Sequence, residues 1–166
     1  RIYDAGENIT GVVRLTVTGN PGEKVVLQFA ENLNEDGTLN FDSTGAGYTC
    51  TSGRKQVQTD ECICGTEPAV FEPKFCWHGF RYFSVEGPGI DPTVLVIHSD
   101  APVTAEFDSD CEGLNFLFDA FVRTQLNNMH CGVVSDCPHR ERLGYTGDGQ
   151  LTVYVGHGDG DVYRSG

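Results

Sequence analysis

Apolar side chains alternate with polar ones through the first part of this chain, and this period of two limits what the chain can fold into. The first alternating apolar positions are Val13, Leu15, Val17, Val25, Leu27 and Phe29. Because alternate side chains of a strand point to opposite faces, the pattern predicts two half-buried strands. Asn20-Pro21-Gly22-Glu23 lies between them and has turn composition, so residues 12–31 are predicted to form a hairpin.

More short strands are predicted up to residue 107. Asp36-Gly37 and Gly87-Pro88-Gly89 have turn composition. The remaining predicted strands are weak edge strands within 39–66, then 71–75, 80–86, 94–98 and 103–107. About seven to nine short strands separated by turns are typical of an antiparallel β-sandwich. The 21 glycines and the single methionine also favour a mainly β chain.

The hydrophobic period changes at Asp108. Leu114, Leu117, Phe118, Phe121, Val122 and Leu126 recur at helical spacing. They predict one amphipathic helix over 110–128, with Ser109 or Asp110 as N-cap and Glu112 completing a capping box. We therefore expect two domains, 1–107 and 108–166. The apolar face of helix 110–128 is expected to be covered either by self-association or by docking onto the sandwich.

Charge excludes two classes of partner. The chain has 11 lysines and arginines against 24 aspartates and glutamates, a formal net charge of −13. Nucleic acid and anionic membrane surfaces would repel it, so neither is expected as a partner. The sequence has no apolar run long enough to span a membrane and no signal-peptide pattern at its start.

Seven cysteines form an odd set, so at least one is unpaired within a monomer. Thiols in a reducing compartment such as the cytoplasm are the expected state, since most can pack as small apolar groups. A bridge from Cys50 to Cys62 or Cys64 is the alternative. Cys62-Ile63-Cys64 fits no zinc-binding spacing, and no metal or organic cofactor is expected.

The densest chemistry lies in the loop over residues 136–148, Asp-Cys-Pro-His-Arg-Glu-Arg-Leu-Gly-Tyr-Thr-Gly-Asp. It holds three carboxylates, two guanidinium groups and one aromatic ring, a combination suited to a sugar. Carboxylates accept hydrogen bonds from hydroxyls, and an aromatic face stacks on ring C–H groups. The alternative is a solvated loop in which Arg140 and Arg142 pair with Asp136 and Glu141.

This loop resembles the signature loop of the bacterial α-L-rhamnosidases, glycoside hydrolases that remove terminal α-L-rhamnose from plant glycosides and polysaccharides. Asp4, Gly6, Asn8 and Gly11 are similar to the Asp-x-Gly-x-Asn-x-x-Gly opening of that family's β-sandwich. Further similar segments are Phe29-Ala30-Glu31, Asp36-Gly37, Glu72-Pro73-Lys74-Phe75, His78-Gly79-Phe80-Arg81-Tyr82 and His98-Ser99-Asp100. The resemblance extends from residue 4 to about residue 152.

The resemblance implies roles for five residues of the loop. Glu141 would be the general acid that protonates the glycosidic oxygen. Asp136 and Asp148 would hold the rhamnose hydroxyls, and Arg140 would neighbour the acid. Tyr145 stands where the family often has Trp and keeps a stacking face. The implied substrate is a rhamnose-containing carbohydrate.

The resemblance also implies an antiparallel β-sandwich followed by one amphipathic helix and the first loop of a truncated (α/α)6 barrel. The family inverts configuration, and its general base is a glutamate far downstream, so residues 1–166 are expected to lack the base and to be inactive alone. His139 stands where Gln is common, and the Gly/Asp-rich tail 155–166 departs from the family. A noncatalytic sugar-binding module, using Trp77, Tyr82 and Phe83, is the alternative.

Overall fold

The computed structural model describes residues 1–43, 57–130, 133–140, 142–147 and 149–150. The chain divides into two compact units. The first, here called the sheet unit, comprises Arg1–Ile97 with Pro138–Glu141. The second, the helix unit, comprises His98–Cys137 with Arg142–Gly166. The predicted boundary between residues 107 and 108 stays a prediction.

A six-stranded antiparallel sheet dominates the sheet unit. Its strands are β1 (Ile2–Val17), β2 (Lys24–Ala30), β5 (Thr59–Ile63), β6 (Ala69–Phe71), β7 (His78–Glu86) and β8 (Gly89–Val96). The strand order is β5-β2-β7-β1-β6, and β8 also pairs with β1. Two short strands, β3 (Asn32–Leu33) and β4 (Leu39–Asn40), form a separate hairpin.

The core of the sheet unit is built from side chains of β2, β7 and β1. Phe29 and Phe80 are fully buried, and their ring centroids are 4.8 Å apart. Phe83 meets the Phe80 ring edge-on at 5.9 Å. Aliphatic side chains of β1 and β2 complete the same cluster. Burying this much aromatic and aliphatic surface is the main contribution to the stability of the sheet.

The predicted hairpin over residues 12–31 is wrong in its pairing. The turn is present, since the Glu23 amide donates to the Asn20 carbonyl at 3.0 Å and Gly22 has a φ of 89°. However, β1 and β2 do not pair, because β7 lies between them and is hydrogen-bonded to both. Alternation places side chains on faces of a strand but does not select its neighbours.

Two other strand predictions need correction. The strand expected over 71–75 ends at Phe71, since Pro73 has no N–H to donate to a ladder. The strand expected over 103–107 is wrong, because these residues have no strand conformation. Phe107 instead stacks on Phe118, with ring centroids 5.5 Å apart. A stretch whose sequence predicts a strand therefore packs against the helix that contains Phe118.

One long helix, α1 (Glu112–Asn128), lies in the helix unit where the sequence predicts it. Its cap differs from the prediction. Cys111 is the N-cap and makes no side-chain cap bond, whereas Ser109 and Asn115 hydrogen-bond each other, with the Asn115 amide donating to the Ser109 carbonyl at 2.9 Å. The Asn115 side chain therefore holds the backbone at the start of α1. The predicted capping box with Glu112 is wrong.

A small hairpin of β9 (Met129–His130) and β10 (Val133–Val134) follows α1 directly. The mainly antiparallel β fold, followed by one helix, confirms the predicted fold class. Cys62 and Cys64 carry thiols, and Cys50 lies outside the described residues. In the part of the chain that the structure describes, no helix is long and apolar enough to cross a membrane.

Candidate active site

The stem of the loop over residues 136–148 belongs to the helix unit and is closed by two backbone hydrogen bonds. The Asp136 amide donates to the Leu143 carbonyl at 3.2 Å, and the Arg142 amide donates to the Cys137 carbonyl at 3.3 Å. Arg142 has a φ of 56°, in the left-handed region that large side chains rarely adopt. Such backbone strain costs about 1–3 kcal/mol and is concentrated at functional sites. Here it directly follows Glu141.

One carboxylate oxygen of Asp136 is buried without a hydrogen-bond partner among the described residues. The Cys137 thiol lies 3.1 Å from its Oδ2 and donates to it. Its Oδ1 is buried and accepts no hydrogen bond from the residues that the structure describes. Because buried acceptors are normally paired, Oδ1 can accept a hydrogen bond from a substrate hydroxyl.

The tip of the same loop belongs to the sheet unit, where His139 meets Glu31 at the end of β2. His139 Nδ1 lies 3.2 Å from Glu31 Oε1, an ion-pair distance without the alignment of a hydrogen bond. Asn8 of β1 donates to the same oxygen at 2.8 Å. Both side chains of the pair are more than four fifths buried, at 16% and 17% exposed. The pair therefore fixes the residue two positions before Glu141.

Gly79 of β7 allows the loop tip to approach the sheet. A Cβ at this position would lie 2.8 Å from the His139 amide nitrogen and 3.0 Å from the Pro138 carbonyl carbon. No real side chain fits at these distances from backbone atoms. Gln58 fixes the same residue, because its side-chain amide accepts from the Gly79 N–H at 2.9 Å and donates to the Gly79 carbonyl at 2.7 Å.

The opening motif of β1 has a structural explanation at each position. Asp4 takes two hydrogen bonds from Arg81, which lower the pKa of the Asp4 carboxyl, and the Gly6 amide adds a third. Gly6 has a φ of 90°, within the register shift between β1 and β7. Asn8 holds Glu31, and a Cβ on Gly11 would collide with the Leu95 carbonyl oxygen. The motif therefore shapes the strand and supports the loop tip.

The structure describes some of the predicted site residues and not others. Glu141 and Asp148 lie outside the described residues. Arg140 is half-buried, and Tyr145 is exposed, with its carbonyl accepting from the Gly149 amide at 3.1 Å. The roles assigned to these residues stay predictions.

Sequence reasoning missed the supporting residues Glu31 and Gly79. Both occur in segments that resemble the family, so a signal was present, but it gave no indication that they contact the loop. The alternative aromatic platform loses one member, because Phe83 is 2% exposed and stacks on Tyr3 within the core.

Two family models match the chain in succession. Residues 1–100 match the bacterial α-L-rhamnosidase concanavalin-like domain. Residues 102–158 match the bacterial α-L-rhamnosidase 6 hairpin glycosidase domain, so this second match includes the whole loop. The two matches follow the order that the sequence resemblance predicts.

Curated relatives and solved structures agree with these matches. An α-L-rhamnosidase of Streptomyces avermitilis is 38% identical over 153 residues, which are 89% of this chain and 14% of that protein. An α-L-rhamnosidase of Formosa agariphila is 33% identical over 154 residues, 89% of this chain and 16% of the relative. The chain thus spans less than a fifth of the length of these relatives.

The structure of the Streptomyces avermitilis enzyme complexed with L-rhamnose superposes with a TM-score of 0.73 at 37% identity, covering 89% of this chain and 14% of that one. The α-L-rhamnosidase structure from Dictyoglumus thermophilum gives 0.78 at 32% identity, covering 93% and 17%. Because a family model matches residues 1–100, more than half of the 166, the chain belongs to the bacterial α-L-rhamnosidase family.

Proposed function

We propose that this chain carries the acid half of an α-L-rhamnosidase, with Glu141 protonating the glycosidic oxygen of a terminal α-L-rhamnose. The observation that carries the proposal is the hairpin-domain match across residues 102–158, which contains the complete loop with its carboxylates in order. The buried, strained setting of the loop supports it. A solvated ion-pair loop would not need the close approach at Gly79 or a left-handed Arg142.

The neighbouring residues bind and orient the sugar in this proposal. Asp136 and Asp148 accept hydrogen bonds from the rhamnose hydroxyls, and the unpaired Oδ1 of Asp136 supports this role. Tyr145 offers a ring that is 43% exposed, as a stacking face requires. Arg140 lies next to Glu141 in sequence and places a positive charge beside the acid. The rhamnose bound to the Streptomyces avermitilis relative supports rhamnose as the sugar.

The mechanism proposed is inversion, in which a second carboxylate activates water on the opposite face of the sugar. In inverting glycosidases the two carboxyl groups are about 6.5–9.5 Å apart. We place the general base outside residues 1–166, since the matching relatives are about six or seven times longer than the matched segment, which is 14–16% of their length. Residues 1–166 alone are then expected to contain the group that protonates the glycosidic oxygen but not the group that activates water.

Hydrolysis of an aryl α-L-rhamnoside tests the proposal in two proteins. Residues 1–166 should show no turnover above a Glu141→Gln control. A longer protein containing the whole barrel should turn over, and Glu141→Gln there should lower kcat by about 10²–10⁴-fold, since general acid catalysis contributes that much. KM should change little. Full activity of the longer Glu141→Gln variant on a substrate with a poor leaving group would refute the assignment of the acid.

The sugar-binding alternative requires a platform of exposed aromatic rings. Phe83 is buried, and the guanidinium carbon of Arg81 lies 5.1 Å from the Tyr82 ring centroid. These contacts leave little free aromatic surface on β7. The catalytic proposal is therefore favoured.

A further inference from the structure

Three side chains of the sheet unit form a cluster that the rhamnosidase proposal does not use. They are Asp60 on β5, His78 at the start of β7, and Cys76 two residues before it. One potential metal-ligating atom from each lies within 4.8 Å of the other two. A carboxylate, an imidazole and a thiol at this separation form one of the common ligand sets of protein metal sites.

The atoms of the cluster converge on Asp60. His78 Nε2 lies 2.9 Å from Asp60 Oδ1, and Cys76 Sγ lies 3.4 Å from the same oxygen. The side chains of His78 and Asp60 are only 5% and 9% exposed. In a tetrahedral zinc site with bonds of about 2.0–2.3 Å, adjacent ligand atoms are about 3.3–3.7 Å apart. The two distances to Asp60 Oδ1 are within about 0.4 Å of this range, and all three ligand atoms lie within 4.8 Å of one another.

One oxygen of the buried Asp60 carboxylate has no partner among the described residues. Among the described residues, no lysine or arginine pairs with Asp60, and its Oδ2 is buried without a hydrogen-bond partner. Burying a carboxylate is costly unless a cation or several donors pair with it. A divalent cation would supply the missing charge, and with the Cys76 thiolate the occupied site would be neutral.

We propose that Asp60, Cys76 and His78 bind a zinc ion, with water as the fourth ligand. The thiol of Cys76 releases its proton to solvent when the metal binds. His78 binds through Nε2 as the neutral imidazole, which leaves its ring hydrogen on Nδ1. Nδ1 is buried and has no hydrogen-bond partner among the described residues.

The fold holds one of the three ligands, His78, in place before metal binds. Gln58 hydrogen-bonds both backbone groups of Gly79, the residue after His78. The His78 ring also stacks on Phe29, with centroids 4.3 Å apart and planes at 17°. Ligands that are fixed by their surroundings lose little entropy on binding and keep their geometry.

Ligand chemistry and access favour zinc in particular. Thiolate and imidazole prefer Zn²⁺ to Mg²⁺ and Ca²⁺, which take oxygen ligands. Cys76 is half-buried, so the cluster can be reached from solvent on its side. Co²⁺ can replace Zn²⁺ in such a site and reports on the ligands through its absorption.

The test is a cobalt titration of reduced residues 1–166, followed by Zn²⁺ displacement. We expect one Co²⁺ per chain, a thiolate-to-cobalt charge-transfer band in the near ultraviolet, and intense visible bands of four-coordinate cobalt. Zn²⁺ should remove these bands at one equivalent. Ca²⁺ and Mg²⁺ in large excess should leave the cobalt bands unchanged. Absence of the charge-transfer band would overturn the proposal, whatever the glycosidase activity of the longer protein.

Variants assign the ligands. Cys76→Ser should abolish the charge-transfer band, and Asp60→Asn should weaken Co²⁺ binding at least about 100-fold, since each removes a direct ligand. Cys62→Ser and Cys111→Ser are matched controls that should bind as the parent does. Circular dichroism checks that each variant is folded. Loss of the band in Cys62→Ser, or its survival in Cys76→Ser, would place the metal elsewhere and refute the site.

Discussion

Single side chains decide how the loop tip with His139 is held in the sheet unit. Asn8 holds the Glu31 carboxylate, Glu31 faces His139, and Gly79 leaves room for the backbone of the loop tip. None of these residues is itself a chemical participant in the proposed reaction. They act as positioning residues, because a catalytic acid displaced by about 1 Å loses much of its effect.

Gly79→Ala is expected to displace the loop tip. The new methyl group would meet backbone atoms of Pro138 and His139, which cannot move as a flexible side chain can. Backbone amide NMR shifts at residues 138–140 should change, and stability should fall by about 1–3 kcal/mol from overpacking. Gly65→Ala is the matched control, because a Cβ there meets nothing within 4 Å. Equal and small effects of both substitutions would show that the contact at Gly79 is not needed.

Arg81 controls the ionisation of Asp4. Its hydrogen bonds lower the pKa of the Asp4 carboxyl from the ordinary value of 3.8. Arg81→Gln should therefore raise the pKa of Asp4 towards that value, as measured by carboxyl-carbon NMR titration. Because the pKa is lower in the folded state, the stabilisation is present above the unfolded pKa and is lost as pH falls through the folded pKa.

The loss of folding stability at low pH also tests the pairing of Asp4 with Arg81. Below about pH 4 the parent protein should lose stability more steeply than Arg81→Gln, because only the parent has this interaction to lose. Arg14→Gln is the control for the Asp4 pKa, since Arg14 lies near Glu72, whose own carboxyl pKa it helps to lower. An unchanged Asp4 pKa in Arg81→Gln would contradict the pairing.

At the scale of elements, α1 differs from the strands in how little of it is covered. None of its residues is buried, and Leu114, Phe116 and Leu117 are 49%, 64% and 61% exposed. In contrast, β1 buries Ile9 to Val13 without a break, and β2 buries alternate residues over most of its length. The prediction that helix 110–128 drives self-association therefore remains open to direct measurement.

Sedimentation velocity of residues 1–166 should show association that grows with concentration, because exposed leucine and phenylalanine on one helix favour burial against another copy. Leu117→Lys should shift the distribution towards monomer. Asp119→Lys is the control, since it lies about 200° round the helix from Leu117. Monomer at every concentration in the parent would refute this prediction.

At the scale of the whole molecule, stability is concentrated in one aromatic cluster of the sheet unit. Phe29 is fully buried and contacts Phe80, Phe83 and His78, whereas Phe75 is fully exposed. Phe29→Ala should lower the free energy of unfolding by about 3–5 kcal/mol in denaturant titrations. Phe75→Ala should change it by less than about 0.5 kcal/mol. Similar losses in both would show that the cluster is not the centre of the core.

Hydrophobic periodicity predicted the class of most segments, with residues 103–107 as an exception. Period-two alternation identified β1, β2 and β7, and helical periodicity identified α1 nearly to its ends, because both periods follow from backbone geometry alone. The order of residues in the loop over 136–148, together with the motifs of the preceding strands, indicated the family, because these are series of specific side chains and not a composition.

Which elements are neighbours became visible only in the folded chain. Nothing in the alternation of β1 and β2 shows that β7 lies between them, and nothing in residues 103–107 shows that Phe107 packs on a helix. The contacts of Glu31 with His139, and of Asp60 with Cys76 and His78, likewise join residues that are far apart in sequence or lie on different strands. Local periodicity follows from the geometry of one segment, whereas pairing depends on the free energy of burying all segments together, so it emerges only in the folded chain.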